Sequence, residues 1–485
     1  MEFTNLSIVE LHNKLKNKEL TIKELAKSVY KNLQENLDSN FLVTLIDEEQ
    51  IENLDQEFDE TNLLSGIPYV TKDNISTKGI KTTAGTKILS NYFPATDATI
   101  TEKLKESKTV LLGKSTLDEL GMGGTGLFGF NGEVRNPFDN ERIVGGSSSG
   151  SAYAVAKGLV PFATGTDTGD SIRKPASFNG IVGFKPTYGS ISRFGVIPYA
   201  PSLDHVGFFT RNVEDMAIVC DATFGYDKKD FTSIENKHEF YKNLNENKKF
   251  KFGFLEVVEK HMTGKIHDDY VKIAEKIKQD GNEVINLEFR KDLLDALPAV
   301  YMMISFAEAV STHANLDGIN FGNRVEGVDY IDTMRKSRAK NFGATVKKRM
   351  VIGSYQLKQE NQERLLAKSK KVRRLIIEEL NKMFEQVDVL IMPASLKIAP
   401  LVKEIYGVEI EDRDDNEAIF LEDLLVLANM NGMPSITLPF VKHNNLPIGI
   451  NLNAKPKEDL KLLQASKYLE DLISKVIKES GDFNE

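Results

Sequence analysis

Three observations in this sequence predict an α/β layer structure. Apolar runs of strand length alternate with longer stretches of helical periodicity through most of the 485 residues, the pattern of helices layered on a sheet. Helix starts carry capping signatures. No segment approaches the ~18 uninterrupted apolar residues of a membrane span.

The first 37 residues read as two short helices. Ser7-Ile8-Val9-Glu10 and Thr21-Ile22-Lys23-Glu24 both spell S/T-x-x-E, in which hydroxyl and carboxylate satisfy each other's orphan N–H groups. Ile8, Leu11 and Leu15, then Leu25, Val29 and Leu33, recur at helical spacing. Strands are expected at 41–46, 67–71, 109–112, 250–257, 282–289, 387–392, 435–440 and 447–452. Helices are expected at 98–107, 148–158, 264–279, 355–385 and 459–477. The polar stretch 226–249 reads as a surface connection and 408–418 as an acidic loop.

Composition narrows the function. Lys plus Arg total 62 against 71 Asp plus Glu, a net charge of −9, which excludes a chain that grips nucleic acid by bulk positive charge. A single cysteine, Cys220, allows neither an intrachain disulfide nor a cysteine zinc cluster. The N-terminal MEFTNLSIVELHNKLKNKEL lacks a basic start followed by an apolar core, so no secretory signal is read and a cytoplasmic location is expected.

Residues 121–190 hold 15 of the 34 glycines. Glycine costs backbone entropy, so such a concentration marks close backbone approach or unusual dihedrals. Three familiar patterns in or near this region lack part of their required context, and the last stays open as a runner-up. Gly121–Gly126 spells G-x-G-x-x-G, but LFGFNGE follows it rather than a helix. Gly113-Lys114-Ser115-Thr116 resembles the end of a P-loop, but the required earlier glycine is Lys108. Gly146-Ser147-Ser148-Ser149-Gly150 fits the nucleophile elbow, yet none of the six downstream histidines sits in a distinctive setting and no HGGG-like stretch precedes it.

A longer pattern runs from Val144 to Arg193, rich in hydroxyls and devoid of histidine. A serine nucleophile in it needs a base of another residue type. Lys72 ends the apolar strand candidate IPYVTK. Desolvation there disfavours the charged form, and a neutral amine can serve as a general base. Taken singly, each residue has a bland reading: a strand-edge charge for Lys72, helix caps for Ser147 and Ser171. Order and spacing together favour catalysis.

Lys72-Asp73-Asn74, GGSSSGSA (145–152) and GTDTGDSIRKPAS (165–177) resemble the amidase signature family. The resemblance implies a central mixed sheet flanked by helices on both sides. It implies one domain over 1–485, with N-terminal helices 1–37, a signature core 60–225 and a C-terminal part 250–485 completing the sheet and pocket. It assigns Lys72, Ser147 and Ser171 as a catalytic triad, the bridging Ser147 at a cis peptide bond. The separations, 147 − 72 = 75 and 171 − 147 = 24, suit the family. The oxyanion is expected on backbone N–H groups of Thr168, Gly169, Asp170 and Ser171. Where the family reads D-x-G-G-S, this chain has Asp170 before the nucleophile. An inward carboxylate would oppose the transition state, so Asp170 is expected to turn outward. Ser149 also replaces a usual glycine.

Within the family the chain is most similar to the glutaminase components of tRNA-dependent amidotransferases. The supporting stretches are 7–25, 314–322, 342–357 and 420–439. That resemblance implies glutamine as substrate, with Arg349 on its α-carboxylate, Asp423 on its α-ammonium, and Gly123 and Gly124 also in the binding site. The family's Arg-Tyr-Gly edge is Asn320-Phe321-Gly322 here. It further implies B and C partner subunits, with tRNA, ATP and magnesium handled by the B subunit and neither a cofactor nor a metal on this chain. Glu-tRNA(Gln) and Asp-tRNA(Asn) are both open as acceptors. A free-standing amidase with the same triad is the alternative reading, and a catalytically silent scaffold a third.

Overall fold

A single mixed sheet runs through the chain in the computed structural model, which describes residue 3 and residues 5–246, 248–406 and 423–480. Its eleven strands among these residues are β1 (Leu42–Leu45), β2 (Pro68–Lys72), β3 (Val110–Ser115), β4 (Phe162–Asp167), β5 (Val182–Lys185), β6 (His205–Thr210), β7 (Lys251–Leu255), β8 (Glu283–Leu287), β9 (Val389–Pro393), β10 (Ser435–His443) and β11 (Leu446–Ala454). Their order is β1-β3-β2-β4-β6-β5-β10-β11-β9-β7-β8. β2 pairs in parallel with both β3 and β4, and β7 with both β8 and β9, while the strands between are antiparallel. Helices cover the sheet on both sides: Arg173–Asn179 lies on β5, β10 and β11, and Asp459–Ser480 on β10 and β11. Both N-terminal capping boxes form, Ser7 with Glu10 and Thr21 with Glu24.

All eight expected strands are present. Three central ones, β4, β5 and β6, were not expected, and glycine is the reason. Gly165 and Gly207 are paired across β4 and β6. A Cβ on Gly165 would meet Phe209, Ile172 and Ser148; one on Gly183 would strike Ala176, and one on Gly207 the Phe184 carbonyl. These glycines make a shelf on which Ile172 and the helix Arg173–Asn179 rest directly. A strand built for close approach loses the β-branched signature that marks strands in sequence.

The helices differ from expectation in the C-terminal half. The 355–385 stretch is divided: a helix ends at Gln356, Gln362–Ala367 is π-helical, and Lys368–Met383 resumes. The helix Lys291–Thr312 was not expected, and its length and composition would suffice to cross a membrane. Half of its apolar window is buried, packed on the helices Ala344–Gln356 and Lys368–Met383. The 226–249 connection contains the short helix Phe240–Asn243, with Phe240 buried. The acidic 408–418 stretch lies outside the described residues.

Candidate catalytic site

Lys72 is the last residue of β2 and is fully buried, its strand hemmed by β3 and β4. Its ammonium would need several partners there, and it finds oxygen atoms only. Nζ lies 2.9 Å from Ser147 Oγ, 2.8 Å from Ser148 Oγ, 2.8 Å from Thr166 Oγ1 and 3.3 Å from the Thr166 carbonyl. Burial lowers its pKa to about 7, with the charges of Asp118, Asp167 and Asp204 opposing from a distance. A neutral amine keeps one lone pair, which can take a hydroxyl proton.

Ser147 follows a cis peptide bond from Gly146. Side chains on Gly146 and Gly123 are forbidden because a Cβ on either would strike the Asp118 carboxylate. That carboxylate accepts N–H bonds from Thr125, Gly126 and Phe128 at 3.0–3.1 Å. The Asp118 N–H donates to the Ser147 carbonyl, and the Gly146 N–H to the Gly124 carbonyl. The G-x-G-x-x-G run is therefore a loop wound around Asp118. Gly123 packs on that carboxylate, while the Cα of Gly124 faces open space.

The serine run sorts itself by partner. Ser148 donates to the Thr166 carbonyl, Ser149 to the Thr116 carbonyl and Ser151 to the Thr164 carbonyl. Among the described residues Ser147 Oγ receives the Lys72 bond and its own proton is uncommitted. That distinguishes it from three neighbours of the same type.

Ser171 sits in the turn between β4 and the helix Arg173–Asn179. Asp167 and Arg173, both fully buried, lock this turn. The carboxylate accepts Arg173 Nε at 3.1 Å and Nη2 at 2.9 Å, the Ile172 N–H at 3.0 Å and Asn429 Nδ2 at 3.0 Å. Burial opposes its charge, yet the Arg173 guanidinium holds it well below the usual carboxylate range. Arg173 also reaches the Gly169 and Leu425 carbonyls, and Thr168 Oγ1 donates to Asp204 at 2.6 Å. The Ser148 N–H donates to the Ser171 carbonyl at 3.3 Å, tying the turn to the serine run. Among the described residues no hydrogen bond joins Ser147 Oγ and Ser171 Oγ, and the N–H groups of Gly169, Asp170 and Ser171 have no acceptor. Among the described residues the Thr168 N–H likewise has no acceptor, so all four donors of the turn are uncommitted.

Asp170, the residue before the nucleophile, is half-buried, and burial raises its pKa to about 6, helped by Asp167 and Asp423 and opposed by Lys174. Gly169 lies directly under the Tyr301 ring, 2.9 Å from where its Cβ would stand.

Tyr301 belongs to the helix Lys291–Thr312, with Ser305 and Phe306 one turn on. Arg349, from the helix Ala344–Gln356, stacks 5.2 Å over Phe306 and donates to Tyr199 Oη at 3.3 Å. Tyr199 in turn donates to Ser305 at 3.1 Å. Arg349 thus lies in the cluster around Tyr301, which covers Gly169, and the Asp423 charge acts on Asp170. Asn320 instead bonds Asp317 at 2.8 Å, and Phe321, 51% exposed, lines a separate hollow with Leu89 and Tyr92. Tyr199, Tyr301 and Asp118 were not singled out in the sequence, where nothing distinctive surrounds them. Thr166, within the signature run, was read only as one of its many hydroxyls.

A cavity of about 360 Å³ opens beside Thr166 and Thr168, lined further by Asn74, Tyr199 and His205. Among the described residues no group of three or more His, Cys, Asp or Glu side chains could hold a metal ion. Cys220 is buried and its thiol pKa is pushed well up by burial.

Comparisons with known proteins agree along the whole chain. The family described as Amidase matches residues 24–463. The A subunit of glutamyl-tRNA(Gln) amidotransferase from Mycoplasma pneumoniae is 40% identical over 474 residues, covering 96% of this chain and 98% of that one. The protein of the same name from Mycoplasma genitalium is 39% identical over 475 residues, with the same coverage. The crystal structure of the corresponding glutamyl-tRNA(Gln) amidotransferase component from Thermotoga maritima superposes with a TM-score of 0.78 at 31% identity, covering 100% of this chain and 96% of that chain.

Proposed function

The chain belongs to the amidase family, and on that premise we propose that it is the glutamine-hydrolysing component of a glutamyl-tRNA(Gln) amidotransferase. Near-full-length similarity to proteins of that name supports the assignment. The observation that carries the chemistry is the 2.9 Å approach of a buried, carboxylate-free Lys72 amine to Ser147 Oγ.

The steps follow from that geometry. The Lys72 lone pair takes the Ser147 proton while Ser147 Oγ takes the proton of Ser171. Ser171 Oγ bonds the side-chain amide carbon of glutamine. Negative charge on the carbonyl oxygen is met by the free N–H groups of the 168–171 turn, where each such donor is worth on the order of 3 kcal/mol. The proton returns through Ser147 to the nitrogen, the C–N bond breaks and ammonia leaves. A glutamyl ester remains on Ser171. Water attacks it with the same relay, releasing glutamate and restoring the hydroxyl. Arg349 forks onto the α-carboxylate, Asp423 takes the α-ammonium, and Gly123 and Gly124 border the substrate.

The ammonia serves a B subunit that binds tRNA and uses ATP and magnesium, with a C subunit joining the two. Lys114 of the P-loop-like run is buried against Asp73 rather than free to reach a phosphate, which fits that division of labour. The complex is cytoplasmic.

Co-purification with a tRNA-binding partner tests the assignment. Glutamine hydrolysis should rise when that partner and Glu-tRNA(Gln) are present. An isolated chain that rapidly hydrolyses diverse amides and ignores glutamine would contradict it and favour a free-standing amidase.

A further inference from the structure

Asp118 and Glu119 are adjacent, and their carboxyls tie down different halves of the site. Asp118 holds the loop around Ser147. Glu119 is also buried, and burial pushes its pKa up. It accepts the Thr86 hydroxyl at 2.6 Å and, 224 residues away, the Gly343 N–H at 2.8 Å. Gly343 is the N-cap of the helix Ala344–Gln356 and offers no side-chain cap of its own. A Cβ there would lie 2.6 Å from the Glu119 carboxyl and would push it aside. An acidic group at this point meets an orphan N–H and the positive end of the helix dipole.

We propose that Glu119 is a positioning residue for substrate binding, a brace that sets the pose of the helix bearing Arg349 relative to the Ser147 loop. The helix is held elsewhere by the buried Val346 and by Met350, which accepts from Arg338 at 3.1 Å, and its tightest packing contact is with backbone. Gly353 presses on the Phe306 carbonyl, where any side chain would collide. Arg349 lies between Gly343 and Gly353, about 6 Å from Gly353 along the axis at about 1.5 Å per residue. With the Glu119 bond cut, the first turn of the helix loses its cap, and a small shift about the Gly353 contact carries the guanidinium with it. The Phe306 stack and the Tyr199 bond locate Arg349 locally, while the Glu119–Gly343 bond ties its helix to the segment that also holds Ser147. This inference rests on the reading of Arg349 as the glutamine carboxylate partner.

The test uses the assembled enzyme and two readouts: KM for glutamine, and the rate at which a small fluorophosphonate without an amino-acid head labels Ser171. Glu119→Ala should raise KM about tenfold while labelling stays within about twofold, since misplacing a binding group by a fraction of an ångström costs such factors. Glu119→Gln still accepts from Gly343 and should restore KM to within about threefold. Thr86→Val removes one of the two bonds that hold the carboxyl, should raise KM about threefold, and decides the matter if Glu119→Ala does not fold. An unchanged KM, a parallel fall in labelling, or a Gln variant as impaired as Ala would overturn the brace. Arg349→Ala is the control. If it raises KM and Glu119→Ala does not, the brace alone fails; if it leaves KM unchanged, the Arg349 reading fails and the brace with it.

Discussion

Lys72 and Lys114 are two fully buried lysines on adjacent parallel strands, and they do opposite things. In the register Thr71 faces Lys114 and Lys72 faces Ser115. Burial lowers both, Lys72 to about 7 and Lys114 to about 8. Their company differs. Lys114 lies 3.6 Å from the Asp73 carboxylate and donates to the Ile75 carbonyl at 2.6 Å and to Thr82 at 2.8 Å. Lys72 touches hydroxyls and a carbonyl but no carboxylate. Asp73 is next to Lys72 in sequence, yet from the turn just past the end of β2 it serves the other lysine. A buried lysine becomes a base where its first neighbours are neutral, and a structural tie where a carboxylate meets it.

The largest expected effects break the reactive half of this comparison. Ser171→Ala and Lys72→Met should each cut glutamine turnover by at least about a thousandfold, measured as glutamate release, because residues acting as one relay fail together. Near-normal turnover in either would remove the relay.

Lys114→Met should act through stability instead. It strands the buried Asp73 carboxylate, and breaking such a pair costs about 3–5 kcal/mol. Thermal unfolding should show a lowered midpoint, while the folded fraction keeps its acid limb near pH 7.

Thr166→Val removes one hydroxyl that seats Lys72 Nζ and should cost roughly tenfold in kcat with little change in KM. Steady-state kinetics on glutamine reads both.

Asp170→Asn should have the smallest effect and the opposite sign. The Asp170 carboxyl, with a pKa of about 6, is charged at pH 8 and neutral at pH 5. Removing a negative charge beside the oxyanion should raise kcat roughly threefold at pH 8 and leave it nearly unchanged, relative to the parent, at pH 5.

The two lysines also show what was legible in the sequence. Ser147 and Ser171 stood out because their runs are framed by glycine, and close approach writes itself as glycine; Lys72 stood out by ending an apolar strand. The same glycines hid β4, β5 and β6, whose flat faces at Gly165, Gly183 and Gly207 carry no strand pattern. Lys114 was visible only as part of a failed phosphate motif, since its partnership with Asp73 depends on strand register. Tyr301 was invisible because two helices crossing at Gly353 bring it to the site, and crossings leave no local mark; Tyr199 reaches the site from the loop between β5 and β6. The helix Lys291–Thr312 carries Pro298 and is apolar on many faces, so no amphipathic period announced it.

The central claim is that a neutral Lys72 drives acylation of Ser171 through Ser147. The most direct measurement is the rate of glutamyl-enzyme formation on Ser171 as a function of pH, by rapid quench and intact-protein mass spectrometry. A neutral base with a pKa of about 7 predicts a rate that falls away below pH 7 and levels off above it, with Lys72→Met abolishing the adduct. A rate still climbing toward the ordinary lysine range near 10.4, or one that ignores pH from 5 to 9, would contradict it.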